Sequence, residues 1–185
     1  MLMFLNFDGV LHPNAVRFAK TKNPTLNAAQ HRLFESNDTL ADVVADFSNL
    51  HLILNTWWTY FLGCDESLCC LPKSLSSRVS GSILQHLSSY PNLPHRVSLA
   101  TEAVRTVDEP ILILDHADAR YPKHVLPITL LLDPQIGLAD SRAARALHRF
   151  ISRATERDQV LRERKVKITN TTTIMLEHRH PRKSL

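Results

Sequence analysis

The sequence predicts an α/β fold: a three-layer Rossmann-like sheet, mostly parallel, with helices on both faces and no large cap domain. Two observations support this prediction. Short apolar runs at residues 2–7, 50–55, 111–114 and 125–132 have the length and composition of buried strands. Segments with apolar residues three and four positions apart, which are typical of amphipathic helices, alternate with those runs.

The N-terminal quarter of the chain predicts a strand, an irregular segment and a helix. The strand at residues 2–7 opens into a tight loop at Gly9. Residues 12–32 are rich in Asn and Pro and show little periodicity, so we expect an extended loop or a short hairpin. Asn37-Asp38 then supplies a predicted cap for a helix with Leu40, Val43, Val44 and Phe47 on one face.

The middle of the chain predicts a strand followed by short helices. The strand at residues 50–55 leads into a helix from about Trp58 to Leu62. Residues 64–80 predict a loop with a short helix around Leu75. Residues 80–87 fit either a helix or a short strand, and the pattern does not choose between them.

The last part of the chain predicts two more strands and two more helices. Residues 96–107 form a predicted helix, which the strand at 111–114 follows. The apolar run at 125–132 is a fourth strand, and Pro127 places it at an edge of the sheet or marks the start of the strand. Asp140 caps a helix that extends to about Arg153.

The length and the charge pattern predict one domain with an extension. Residues 1–153 are the expected domain, and residues 154–185 a basic extension that begins as weak helix and ends as a mobile tail. Residues 1–141 hold 10 Lys/Arg against 14 Asp/Glu, whereas residues 142–185 hold 12 against 4. The basic segment could attract nucleic acid, and a solvated basic helix explains the same charges.

The sequence also predicts the cellular location of the chain. Its longest apolar runs are far shorter than the ~20 residues of a membrane-spanning helix, so no membrane association is expected. The first residues lack the basic start of a secretory signal, which predicts a cytoplasmic protein. Cys64, Cys69 and Cys70 lack C-x-x-C spacing, so we expect small buried thiols in a reducing compartment, with a metal site that includes nearby His as the less favoured alternative.

Polar residues follow three of the predicted strands. Asn6 and Asp8 lie at the end of the first, Thr56 follows the second, and Asp115 and Asp118 follow the third. Ligands of open α/β sheets bind beyond the carboxyl ends of the strands, so these side chains should share a crevice. Carboxylates together with a substrate phosphate suit Mg²⁺. A hydroxyl and a cation nearby would hold phosphoryl oxygens, which predicts phosphoryl chemistry.

Three motifs resemble those of the haloacid dehalogenase-like (HAD) superfamily. Asn6-Phe7-Asp8-Gly9-Val10-Leu11-His12 is similar to its first motif, D-x-D-G-V/T-L, and Leu54-Asn55-Thr56-Trp57 to its second. Ile111 to Asp115, followed by His116 and Asp118, is similar to its acidic fourth motif. Within the superfamily, Phe7 to Pro13, Thr56 to Trp58 and Asp133-Pro134-x-x-Gly137-Leu138 resemble the small HAD domains associated with bacterial RNA-repair proteins. The resemblance spans about residues 1–150.

The resemblance implies a role for each matching residue. Asn6 occupies the position of the nucleophile, and Asp8 that of the general acid/base. Thr56 and Arg96 would bind phosphate, with Arg105 and Lys123 as alternatives for the cation. The implied Mg²⁺ ligands are Asn6, Asp8, Asp115 and Asp118, with Asp118 replacing the acid that many relatives carry where this chain has His116.

The departure at position 6 leaves three interpretations open. An amide lacks the charge and nucleophilicity of a carboxylate. The first interpretation is a degenerate member that binds Mg²⁺ and a phosphorylated ligand with weak or no turnover, as a binding or regulatory module would. The second is an active Mg²⁺-dependent phosphatase, acting on a nucleic-acid end or a small phosphoester, whose nucleophile was mutated. In the third, Asp8 or a metal-bound water hydrolyses the ligand slowly. The first is the leading expectation.

Overall fold

The structure, a computed structural model, describes residues 1–19, 22–85 and 95–177. The strands in these ranges are β1 (Leu2–Leu5), β2 (Val16–Ala19), β3 (Lys22–Leu26), β4 (His51–Leu54), β5 (Val79–Ser82), β6 (Ile111–His116) and β7 (Thr129–Leu132). The helices are α1 (Asn37–Ala45), α2 (Trp57–Leu62), α3 (Cys64–Cys69), α4 (Lys73–Ser76), α5 (Arg96–Thr106) and α6 (Ser141–Glu177).

Five strands form one parallel sheet in the order β5-β4-β1-β6-β7. β1 is central, and its Leu5 lies opposite Leu54 of β4 and Leu114 of β6. The predicted α/β Rossmann-like fold is therefore confirmed. Because the three strands run parallel and in register, the polar residues at their carboxyl ends, which include the last two residues of β6, lie at the same edge of the sheet.

The central strands are covered on both faces, which explains their continuous apolar sequences. Phe4, Ile111 and Ile113 pack with Ala100 of α5 in one buried cluster. Alternate residues of the same strands point to the other face. Those residues, among them Leu5, are also fully buried.

Residues around β2 and β3 form the short antiparallel hairpin that was one of the two expectations for 12–32. The aromatic ring of Phe18 in β2 joins the hairpin to helix α2. Phe18 stacks on Phe61 of α2 with ring centroids 4.6 Å apart, and meets Trp58 edge-on at 5.5 Å. In the described parts of residues 12–32 the chain forms this hairpin and no large cap domain.

Two predicted boundaries in the first half of the chain were wrong. The first strand ends at Leu5, because the backbone N–H groups of Val10 and Leu11 fold back onto the Phe7 carbonyl at 3.1 and 2.8 Å. Helix α1 begins at Asn37, whose side chain donates to the Cys70 carbonyl, and Ser36 stands at the N-cap position without a side-chain hydrogen bond to the helix.

Other helices and strands also differ from the prediction, for similarly local reasons. Residues 64–80 contain two short helices, α3 and α4, where one was predicted. The open choice for 80–87 resolves as strand β5 at Val79–Ser82, and residues 86–87 lie outside the described ranges. β7 begins only at Thr129, since residues 126–128 around Pro127 form a 3₁₀ turn.

The chain divides into two compact units, Met1–Ile151 and Ser152–Leu185. Asp140 caps α6 as predicted, because its Oδ1 accepts a hydrogen bond from the Arg142 N–H at 2.8 Å. The helix continues to Glu177, well beyond Arg153. The predicted mobile tail falls on residues 178–185, outside the described ranges. Within those ranges, no helix is both long and apolar enough to cross a bilayer.

Candidate functional site

A cleft of about 660 Å³ opens at the carboxyl ends of β1 and β6. Four predicted site residues line it: Asn6, Asp8, Arg96 and Asp118. The first turn of α5 borders the cleft. Further lining residues include Asn14, Trp57 and Arg120. The cleft lies where ligands of open α/β sheets bind.

Gly9 allows the loop after β1 to pass beside the cleft. Its φ is +71°, in the left-handed region that glycine adopts without steric cost. A Cβ atom at this position would lie 2.6 Å from the Cβ of His116. The loop therefore packs directly on His116 only because residue 9 has no side chain.

A second glycine supports the same loop from a distant part of the chain. Gly137 has φ +59°, and a Cβ atom there would lie 2.5 Å from the Val10 carbonyl oxygen. The next residue, Leu138, donates its N–H to that oxygen at 2.9 Å. Asn14 N–H also donates to the Pro134 carbonyl at 2.7 Å. The segment Asp133 to Leu138 thus supports residues 9–14, the loop after β1, which we call the site loop. We call this support the brace on the site loop.

Asp8 is held by two side chains on one of its oxygens. Its Oδ1 accepts hydrogen bonds from Trp58 Nε1 and His12 Nε2, both at 3.2 Å. Since His12 Nδ1 accepts from the Phe34 N–H at 3.2 Å, the hydrogen that points to Asp8 is on Nε2. This arrangement fixes the carboxylate and leaves Oδ2 available to the cleft.

Asp115 is fully buried, and both of its oxygens are occupied. Oδ2 accepts from Arg96 Nη1 at 2.5 Å and from the Tyr121 hydroxyl at 2.9 Å. Oδ1 accepts from Arg96 Nη2 at 3.2 Å, from Asn6 Nδ2 at 3.0 Å and from the His116 N–H at 2.8 Å. Burial and the neighbouring Asp115 charge raise the pKa of Tyr121, so this hydroxyl remains a donor. Asp115 is the centre of a buried network.

Arg96 is the cation that the structure places at the site. Burial lowers its pKa, but the Asp115 charge outweighs burial, and the pKa lies above its ordinary value. The guanidinium is thus charged and also donates to the Asn55 carbonyl at 3.1 Å. The two alternative cations are elsewhere: Arg105 is exposed and pairs with Glu102, and Lys123 is exposed and does not line the cleft.

Asn6 lies at the base of the cleft with its amide nitrogen directed into the network. Nδ2 donates to the Asp8 carbonyl at 2.6 Å and to Asp115 at 3.0 Å. Both partners are acceptors, so the nitrogen and not the oxygen must face them. Asn6 Oδ1 is buried and has no hydrogen-bond partner among the described residues.

Thr56 lies outside the cleft lining, and Asp118 lies at its exposed side. Thr56 is fully buried, and its Oγ1 accepts from the Trp58 N–H at 3.4 Å, which caps α2 and leaves the hydroxyl outside the cleft lining. Asp118 lines the cleft with its side chain 66% exposed, and its Oδ2 is 4.0 Å from His116 Nδ1. Burial lowers the pKa of His116, which favours a neutral ring there.

Sequence reasoning missed three members of the network. Trp58 lies in the motif that begins at Thr56, and its indole N–H donates to Asp8. Asn55 donates to the Tyr121 hydroxyl at 3.0 Å, which places both beside Asp115. The position of Asn55 next to Thr56, at the end of a strand, could have indicated a site residue, whereas Tyr121 lies in a loop without such a signal.

The four predicted Mg²⁺ ligands, as arranged, do not fit a divalent cation. Both Asp115 oxygens are bonded to donors, and Asn6 presents nitrogen, a hydrogen-bond donor, to Asp115. Asp8 Oδ1 has two donors of its own. In the described part of the chain, no three or more His, Cys, Asp or Glu side chains are grouped to hold a metal ion.

The fold and the cleft define this chain as an α/β Rossmann-like protein with an amide and a carboxylate at its central strand end. Comparisons with protein-family models, with curated proteins and with solved structures gave no match.

Proposed function

We propose that this chain is a HAD-like domain that binds a phosphoryl-bearing ligand in the cleft with weak or no turnover. The observation that carries the proposal is the placement of Asn6. Its amide stands at the end of the central strand, where a nucleophile would have to reach the ligand. A carboxamide has no anionic oxygen to attack phosphorus, and this one is tied by two hydrogen bonds.

Groups around the cleft support a phosphoryl ligand. The 11-residue helix α5 begins at the cleft with Arg96 and Val97, and the N-terminus of a helix favours an anion through its free N–H groups and its dipole. Arg120 lines the cleft and is exposed. The charge of Arg96 is largely compensated by Asp115, so Arg120 is the main cation for the ligand.

The ligand is proposed as a phosphorylated molecule, with a nucleic-acid end as one source. The excess of basic residues in 142–185 supports the nucleic-acid source. Mg²⁺ is left out of this proposal, because both oxygens of Asp115, the most buried predicted ligand, are bonded to protein donors.

The geometry of Asp8 favours a second candidate, an active phosphatase that needs Asp at position 6. Asp8 keeps one oxygen for the cleft while Trp58 and His12 hold the other, as a general acid/base would require. Asn6→Asp tests this candidate: turnover of an aryl phosphate in the variant, absent from the double variant Asn6→Asp/Asp8→Ala, would support it.

Binding and turnover of the chain as it stands test the main proposal. Inorganic phosphate or a 3′-phosphorylated oligonucleotide should raise the melting temperature, by about 5 °C or more at one hundred times the dissociation constant. Arg120→Gln should reduce that rise. Arg105→Gln, which removes the same charge from an exposed position outside the cleft lining, should not.

Two outcomes would contradict the proposal. Equal phosphate-induced shifts in Arg120→Gln and Arg105→Gln would place binding outside the cleft. Turnover of an aryl phosphate by the unmodified chain, well above that of Asp8→Ala, would show an enzyme that works with Asn6.

A further inference from the structure

The amide of Asn6 occupies the place that a divalent cation would need. Its Nδ2 atom lies 2.6 Å from the Asp8 carbonyl oxygen and 3.0 Å from Asp115 Oδ1. Carbonyl and carboxylate oxygens are the ligands that Mg²⁺ takes from proteins. The point on which these two oxygens converge therefore holds an NH₂ group.

Arg96 satisfies the same carboxylate from another side. Its guanidinium bonds both oxygens of Asp115, at 2.5 and 3.2 Å. Arg96 is 6% exposed and Asp115 is fully buried, so water screens the pair little. With an uncharged side chain at position 6, a metal ion beside Asp115 would meet a carboxylate that the guanidinium already compensates, and no second carboxylate would offset the repulsion between the two cations.

We infer that Asn6 and Arg96 together replace a divalent cation, so that the cleft takes its ligand without Mg²⁺. That the cleft binds a phosphoryl ligand rests on the proposed function. The replacement of the cation by Asn6 and Arg96 does not depend on any ligand. Asn6→Asp would set a carboxylate against the Asp8 carbonyl and Asp115. Three oxygens would then converge without a donor between them, and a cation would relieve their repulsion.

The experiment measures melting temperatures in EDTA, in MgCl₂ and in NaCl of equal ionic strength. It compares the unmodified chain with Asn6→Asp and with Asn14→Asp, which makes the same chemical change at an exposed residue of the same cleft. The unmodified chain and Asn14→Asp should show no saturable response to MgCl₂. Asn6→Asp should melt lower in EDTA and recover in MgCl₂ by about 5 °C or more at one hundred times the dissociation constant.

A saturable response of the unmodified chain to MgCl₂, lost in Asp115→Asn, would overturn the inference, as would a folded Asn6→Asp with no response. If Asn6→Asp does not fold, Mn²⁺ titration of the unmodified chain followed by electron paramagnetic resonance decides. An undiminished signal of free Mn²⁺ supports the inference, and a loss of signal that Asp115→Asn prevents overturns it.

The inference and the proposed function fail in different ways. A phosphate-induced shift of the unmodified chain that requires MgCl₂ would overturn the inference and leave the function standing. If phosphate and the phosphorylated oligonucleotide produce no shift in either buffer, the function fails, and the response of Asn6→Asp still decides whether the amide replaces the cation.

Discussion

Gly137→Ala should destabilise the protein by roughly 2–3 kcal/mol through the brace on the site loop. Holding a non-glycine residue at φ +59° costs about 1–2 kcal/mol. The new Cβ would also lie 2.5 Å from the Val10 carbonyl oxygen, so the loop must shift and lose the hydrogen bond from Leu138, worth about 1 kcal/mol. The expected fall in melting temperature is about 5–10 °C.

Gly81→Ala is the matched control, because a Cβ at Gly81 meets no heavy atom within 4 Å and its φ is not positive. It should change stability by no more than about 0.5 kcal/mol. Urea unfolding followed by circular dichroism gives both free energies. Indistinguishable midpoints for the two variants would refute the brace between Gly137 and Val10.

Three further predictions concern charge and reactivity. Arg96→Gln should cost about 3–5 kcal/mol by leaving a buried carboxylate unpaired, and Arg105→Gln no more than about 1 kcal/mol; equal urea midpoints would contradict this. Burial acts to raise the Glu35 pKa, but hydrogen bonds outweigh burial and lower it. Glu35→Gln should therefore unfold at lower urea than the unmodified chain at neutral pH, with the gap closing as pH falls below about 4.5; a constant gap would contradict it. Iodoacetamide should modify exposed Cys69 before Cys70, whose pKa burial raises; mass spectrometry showing equal rates would contradict it.

The sheet could be predicted from the sequence because its signal is local. Each central strand is an apolar run, and parallel strands bring their carboxyl ends to one edge whatever the intervening segments do. This rule predicts that Asn6, Asp8 and Asp115 lie in one region, as their hydrogen bonds show.

The partners of those residues could not be predicted, because they depend on side-chain orientation in three dimensions. Thr56 could face the cleft or cap its own helix, and the strand pattern allows both. The sequence indicates Arg96 as a cation of the site, but only its two bonds to Asp115 decide whether that acid can bind a metal. Tyr121 reaches the same carboxylate from a loop with no periodic signal.

The central position of β1 makes the site a late product of synthesis. β1 leaves the ribosome before its neighbours β4 and β6, which begin at His51 and Ile111, and its loop is supported by Gly137. At about 5–20 residues per second, roughly 6–25 s separate the emergence of the loop from that of its brace. During that interval β1, all four of whose residues are apolar, lacks its full set of partners, so a nascent chain of this topology depends on keeping β1 from pairing elsewhere.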